Sequence, residues 1–412
     1  MKRKLATDVL LNLAASFLLT ATLQFLVLPM VARRIPTADF GDLLTIVGVA
    51  NAVGVTFGTT LNNIYLIRVK DVDRRELDNT FTRLLFVSLS ACLALAVAIV
   101  MALVRDLSPY FLVLFGVYAC LLVMRGYLQV YFRIRLNYKL ILAHMVVTSV
   151  GYCVGFLVFY RWSTNWLWVY IVGELCSLVF LLARAKVKLD FRRQHARSTG
   201  VYADFRNYLL SAGLANTTVY LDRIIINPIL GPAEVAVYFA ASVVGKTLGM
   251  VIQPMAGVLL SYNSVGPMIN RRRTLLRTLA LATCVGLAFW VVAFFVTPPL
   301  IRVMYPSVHA AAMGYYPIYN IVAVMNMTAA LVQSLALKIA PTRWQVIIQA
   351  AYFSAFLITA LLGMLTYSLA GFLAGHLVAA VLQVVLVILV AFKYSKATQM
   401  PRHGVGTTPS GE

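Results

Sequence analysis

The chain has 412 residues, 61% of them apolar and only 12% charged, with a mean hydropathy of +0.85. These values exclude a soluble domain and imply an integral membrane protein. A net charge of +21 would fit nucleic acid only on one face of a soluble module; here the basic residues lie in short segments between apolar runs, so no nucleic-acid partner is expected.

A hydrocarbon core is crossed by about 20 apolar residues, and the chain offers about twelve such runs. They lie near 9–31, 43–66, 80–104, 109–132, 140–160, 164–184, 207–230, 234–262, 275–297, 314–337, 344–366 and 369–392. The first follows Met1-Lys2-Arg3-Lys4, is longer than a signal-peptide core and precedes no small-residue cleavage site, so it is expected to remain as the first helix. An outer loop is expected at Pro298 to Met313.

Of the 35 Lys and Arg residues, 27 fall in the N-terminus, the even-numbered loops and the tail, and 5 in the odd-numbered loops. The positive-inside rule then places both termini in the cytoplasm. The segment 185–206, with "KVKLDFRRQHARSTG", reads as a basic cytoplasmic linker between an N-lobe at 1–184 and a C-lobe at 207–392; 393–412 reads as a disordered cytoplasmic tail. Each lobe opens with a related junction, "LPMVARRIPTADFGDLL" and "INPILGPAEVAVYF". Since six helices is an even number, such copies share an orientation and are related by an axis along the membrane normal. The expected fold is an all-α membrane protein of about twelve transmembrane helices in two six-helix lobes.

Small residues one turn apart let helix backbones approach, and Gly54/Gly58, Gly151/Gly155, Gly245/Gly249 and Gly371/Gly375 have that spacing. The five cysteines lie inside apolar runs without metal-ligand spacing, and His144, His309 and His376 are scattered, so no metal is expected. "AASVVGKTL" contains Gly245-Lys246-Thr247, but a phosphate-binding loop needs a glycine where Ala240 stands and must follow a strand.

The junction "RRIPTADFGDLL", the motif "MRGYLQVYFRIRLNYK" closing the fourth run, and "YLDRIIINPILGPAEVAVYFAASVVGKTL" across the seventh and eighth resemble the polysaccharide-biosynthesis branch of the multidrug/oligosaccharidyl-lipid/polysaccharide exporter superfamily, the Wzx-type flippases. The resemblance implies a V-shaped pair of lobes around a central cavity and no enzymatic activity. It implies a bacterial cytoplasmic-membrane protein that carries an undecaprenyl-pyrophosphate-linked oligosaccharide from the inner to the outer leaflet. It also implies work beside a polysaccharide polymerase and a chain-length regulator, in O-antigen, capsule or exopolysaccharide synthesis.

Asp222 and Arg223 interrupt the seventh run, where an ionised group costs about 2.5 to 3.5 kcal/mol on insertion scales and therefore faces protein, water or a partner. Asn216, Tyr220, Arg223 and Asn227 form a stripe at helical period, expected to line water or to bond a neighbouring helix. Ser242, Lys246, Gly249 and Gln253 form another on the eighth run; Arg125 and Gln129 lie on the fourth. The candidate substrate-binding set is therefore Arg125, Gln129, Asn216, Tyr220, Arg223, Asn227, Lys246 and Gln253, whose three cations suit a pyrophosphate. Snorkelling or structural pairing is the competing reading, above all for Arg125. Glu174 and Asp222 are the candidate ion-coupling carboxylates, able to bind H⁺ or Na⁺; alternatively Asp222 only neutralises Lys246 or Arg223. No other cofactor is expected. Two other functions fit less well: a cation or multidrug exporter would want acidic groups in excess, and a membrane polymerase would need reactive groups on its outer loops.

Overall fold

The computed structural model describes residues 2–105, 107–185, 200–247, 271–341 and 343–395, and these are helical with no strand. Nine helices among them are long and apolar enough to cross a membrane, which makes this a multi-pass membrane protein: α1 (Leu13–Ala32), α2 (Thr37–Arg68), α3 (Arg74–Leu103), α4 (Pro109–Ile134), α5 (Tyr138–Trp162), α6 (Leu167–Ala185), then Arg272–Met304, Tyr316–Ala336 and Arg343–Ser395. The last is two helices folded at Tyr367 and Ser368, where φ turns to +53° at Ser368. With α7 (Val201–Leu230) and α8 (232–247), the series continues as α9 (Arg272–Met304), α10 (Tyr316–Ala336), α11 (343–366) and α12 (369–395). Each of the twelve apolar runs is therefore helical over its described residues, the eighth being described only as far as Thr247.

Short polar segments set the ends. Asp73 accepts the Arg75 amide at the start of α3, and Ser108, ahead of Pro109, accepts the Phe111 amide at the start of α4. Asn137 caps α5 through Leu140. Each satisfies an amide that the first turn leaves without a partner, and proline fits the first helical position because its missing N–H would be unbonded there anyway. Between α7 and α8 only Gly231 intervenes, at φ +95°, a conformation that side chains other than glycine's rarely adopt.

One boundary departs from the sequence reading. The outer loop expected at Pro298 to Met313 is helical through Pro298 and Pro299 to Met304, and a turn at Pro306–Val308 and a short helix at His309–Ala312 follow. Tertiary contacts outweigh proline's local preference. Arg33 donates to the Val303 carbonyl, and Tyr305 packs its ring 5.8 Å from Phe40 and 5.7 Å from Phe239.

By contacts the chain forms two compact units, Met1–Val243 with Thr297–Tyr316, and Val244–Val296 with Pro317–Glu412. In the second, Leu275, Val332, Leu335, Ile348 and Val387 form a buried cluster. There His376 lies among Phe356, Phe372 and Tyr319, and the Thr359 hydroxyl donates to the Gly375 carbonyl at 2.7 Å where α11 meets α12. Gly245 faces Tyr319 and Ala323; Gly249 lies outside the described residues.

In the first unit the glycine pairs work as the spacing implies. Gly151 and Gly155 press α5 onto Gly173 and Val169 of α6, and Gly54 and Gly58 press α2 onto α4. A Cβ on Gly58 would stand 2.9 Å from the Val123 carbonyl oxygen and 3.0 Å from the Gly126 Cα. Both obstacles are backbone, so no side chain can turn away. Gly58→Ala is expected to cost about 1 to 3 kcal/mol by overpacking and to lower the unfolding midpoint in detergent; an unchanged midpoint would mean that the helices separate freely here.

Candidate functional site

The polar stripe of α7 faces α2. Asn216 donates to the Thr56 hydroxyl at 2.9 Å. Tyr220 and the stem of Arg223 lie over Gly48, whose lack of a side chain makes room for them. Asn227 donates to Asp42 at 3.0 Å and to the Thr45 hydroxyl at 2.9 Å. Towards the other end of α7, Asn63 donates to the Tyr208 hydroxyl at 2.7 Å, and Arg68 forms an ion pair with Asp204, its Nε 2.8 Å from Oδ2. The partners follow one antiparallel register over the length of both helices. Polar pairs of this kind hold helices together where no water competes.

Arg223 is 8% exposed. Its guanidinium lies 4.9 Å from the Phe239 ring centroid and 5.8 Å from that of Tyr220, an arrangement in which the ring face attracts the cation. Its Nε has no hydrogen-bond acceptor among the described residues. Asp222 is buried too and accepts the Arg223 backbone amide at 2.8 Å. Adjacent helical residues point about 100° apart, so this bond uses the backbone of Arg223 and leaves its guanidinium elsewhere.

Arg125 of α4 meets Glu174 of α6, with Nη1 3.1 Å from Oε1; the two side chains are 13% and 0% exposed. The approach is charge to charge, since Nη1 is off the line of a hydrogen bond. The Tyr152 hydroxyl of α5 donates to the same Oε1 at 2.5 Å, while Oε2 is buried with no hydrogen-bond partner among the described residues. Tyr118 and Tyr170 lie beside the pair, their rings tilted by 47° with centroids 5.3 Å apart. One turn along, Gln129 lies 3.4 Å from the His144 Nδ1, and the His144 Nε2 lies 2.6 Å from the Ser177 hydroxyl. Each layer thus takes one side chain from each of α4, α5 and α6.

The candidate residues therefore fall into three groups. Arg125 and Glu174 meet directly, with Gln129 one turn away. Asn216, Tyr220, Arg223 and Asn227 share the α2 face, and Tyr220 lies within electrostatic reach of both Arg125 and Arg223. Lys246 belongs to the second unit, and Gln253 lies outside the described residues. Sequence reasoning missed Tyr152, and it missed the α2 residues Asp42, Thr45 and Asn63. Among the described residues no cluster of His, Cys, Asp and Glu could hold a metal ion.

The profile of a family described as polysaccharide biosynthesis protein matches residues 30–313. No curated protein matches the sequence. Among solved structures, an inward-facing multidrug resistance MATE family transporter of the MOP superfamily is similar at 14% identity and a TM-score of 0.68, over 95% of this chain and 96% of that one. The lipid II flippase MurJ in an inward closed conformation is similar at 11% identity and 0.67, over 96% and 89%. A Vibrio cholerae MATE transporter in the bent form is similar at 16% and 0.57, over 95% and 96%. At such identities the likeness establishes the fold, which this chain shares with MATE and MurJ transporters.

Proposed function

We propose that this chain, which belongs to the polysaccharide biosynthesis protein family, is a flippase that moves an undecaprenyl-pyrophosphate-linked oligosaccharide from the inner to the outer leaflet of the bacterial cytoplasmic membrane. The observation that carries this reading is Arg223, a buried guanidinium in a membrane helix whose Nε has no acceptor among the described residues. A buried guanidinium with an N–H left unbonded is costly, and ionisable groups inside membrane helices mark substrate paths. A pyrophosphate supplies the planar array of oxygens that guanidinium binds best.

On this reading the lobes at 1–184 and 207–392 alternate access about a path that includes Arg125, Arg223 and Lys246, with both termini cytoplasmic. Gln129, Asn216, Tyr220, Asn227 and Gln253 hydrate the glycan while the polyprenyl tail stays in lipid. The protein carries no reaction of its own and hands its cargo to a polymerase with its chain-length regulator. H⁺ or Na⁺ coupling belongs to Glu174 or Asp222.

The test is translocation in proteoliposomes of a fluorescent lipid-pyrophosphate-oligosaccharide, beside export of a cationic dye. Movement of the glycolipid and not the dye is expected. Dye export without glycolipid movement would make the protein a cation exporter.

A further inference from the structure

Glu174 and Arg125 were candidates for separate tasks, one for an ion and one for the substrate, yet they hold each other. Glu174 has no exposure, and only one of its oxygens is engaged: Oε1 takes both the Tyr152 hydroxyl and the Arg125 charge. Oε2 is buried without a hydrogen-bond partner among the described residues, which leaves a place for one proton. While the carboxylate is charged, Arg125 has its counter-ion and no reason to accept another.

We propose that the Arg125–Glu174 pair is a proton-operated lock on the anion site: a proton on Glu174 releases Arg125 to the pyrophosphate, so that proton and anionic substrate bind together. This rests on the flippase reading. The step breaks one O–H bond of hydronium and forms one at Oε2, leaving water; Arg125 stays cationic and exchanges a carboxylate for a phosphate. The groups facing the pair are Tyr118 on α4, Tyr152 and, two turns along the same helix, His144 on α5, Tyr170 on α6, and Tyr220 on α7, which feels Arg125. No second carboxylate stands among them, so the acid linkage falls on Glu174.

The sign of the linkage matters. A proton that enters with the substrate also leaves with it, so an inward proton gradient opposes export through this pair instead of driving it.

The experiment is binding of geranyl pyrophosphate to the purified full chain across a pH series, for wild type and Glu174→Gln. One linked proton gives a slope of about tenfold in affinity per pH unit, and the probe's own titration cancels between the proteins. Wild type should show that extra slope, and Glu174→Gln should lack it and bind more tightly at neutral pH. Equal slopes would overturn the lock and leave the anion site standing; no binding to either protein at any pH would remove the anion site and the lock with it. If Glu174→Gln does not fold, Tyr152→Phe decides. Loss of the hydroxyl donated to the carboxylate eases protonation, so the pH dependence should move upward, and an unmoved profile would overturn the proposal.

Discussion

Arg125→Ala should destabilise the protein by about 3 to 5 kcal/mol, the cost of leaving one member of a buried ion pair behind, read as a large fall in the unfolding midpoint in detergent. Glu174 would be left at zero exposure with only the Tyr152 hydroxyl against it, and would have to stay charged without a counter-ion or take up a proton. The double variant Arg125→Met with Glu174→Leu should recover most of the loss, because it removes both charges and keeps volume in the α4–α6 contact. A buried pair replaced by apolar groups is often neutral or better. With Arg125→Met and Glu174→Leu measured singly, the cycle separates the pair's coupling from the cost of isolating either charge. If the two single losses simply add, the 3.1 Å approach contributes nothing and the two charges are independent.

Arg223→Ala should abolish glycolipid translocation in proteoliposomes while leaving the unfolding midpoint close to that of wild type. Among the described residues its side chain lies against the Phe239 and Tyr220 rings and over Gly48, and an exposed-to-buried range of about 0.5 to 2 kcal/mol covers such cation–ring contacts. That is too little to account for a complete loss of transport. Arg223→Lys keeps the charge and loses the planar fork, so it should restore part of the rate. Full transport by Arg223→Ala would take the residue out of the path. A midpoint that falls as far as the activity would make it a packing residue.

The element series was legible because membrane helices announce themselves: each needs about 20 apolar residues, and its backbone bonds are all internal. Even the fold at Tyr367 and Ser368 appears in the sequence as the gap between the runs 344–366 and 369–392. The site was legible only by face. Helical period puts Asn216, Tyr220, Arg223 and Asn227 on one side of α7, but it says nothing about which helix that side meets. The partner's answering groups, Asp42, Thr45, Thr56 and Asn63, stand among other polar residues such as Thr59, Thr60 and Asn62, and nothing in the sequence singles them out. Arg125 and Glu174 could have been paired by elimination, as the one cation well away from a run's end and the one mid-membrane carboxylate of the first six runs. Tyr152 could not: a tyrosine in a membrane helix has many uses, and only the fold brings it to the carboxylate. The helical stretch through Pro298 and Pro299 was hidden for the opposite reason, since the local signal for a break is strong and distant contacts override it.

The common register of α2 and α7 limits how these two helices can part. A slide of one turn, about 5.4 Å, would tear every polar pair at once, because all of them are set to the same offset. The seam can instead be peeled like a fastener, tooth by tooth from one end. The ends are unequal: Arg68 and Asp204 have side chains 29% and 40% exposed, and such a surface pair holds with at most about 1 kcal/mol. Asn227, buried against Asp42 and Thr45, has no water to replace its partners. Any peel of this seam is therefore expected to start at Arg68 and Asp204, with Asn227 as its pivot.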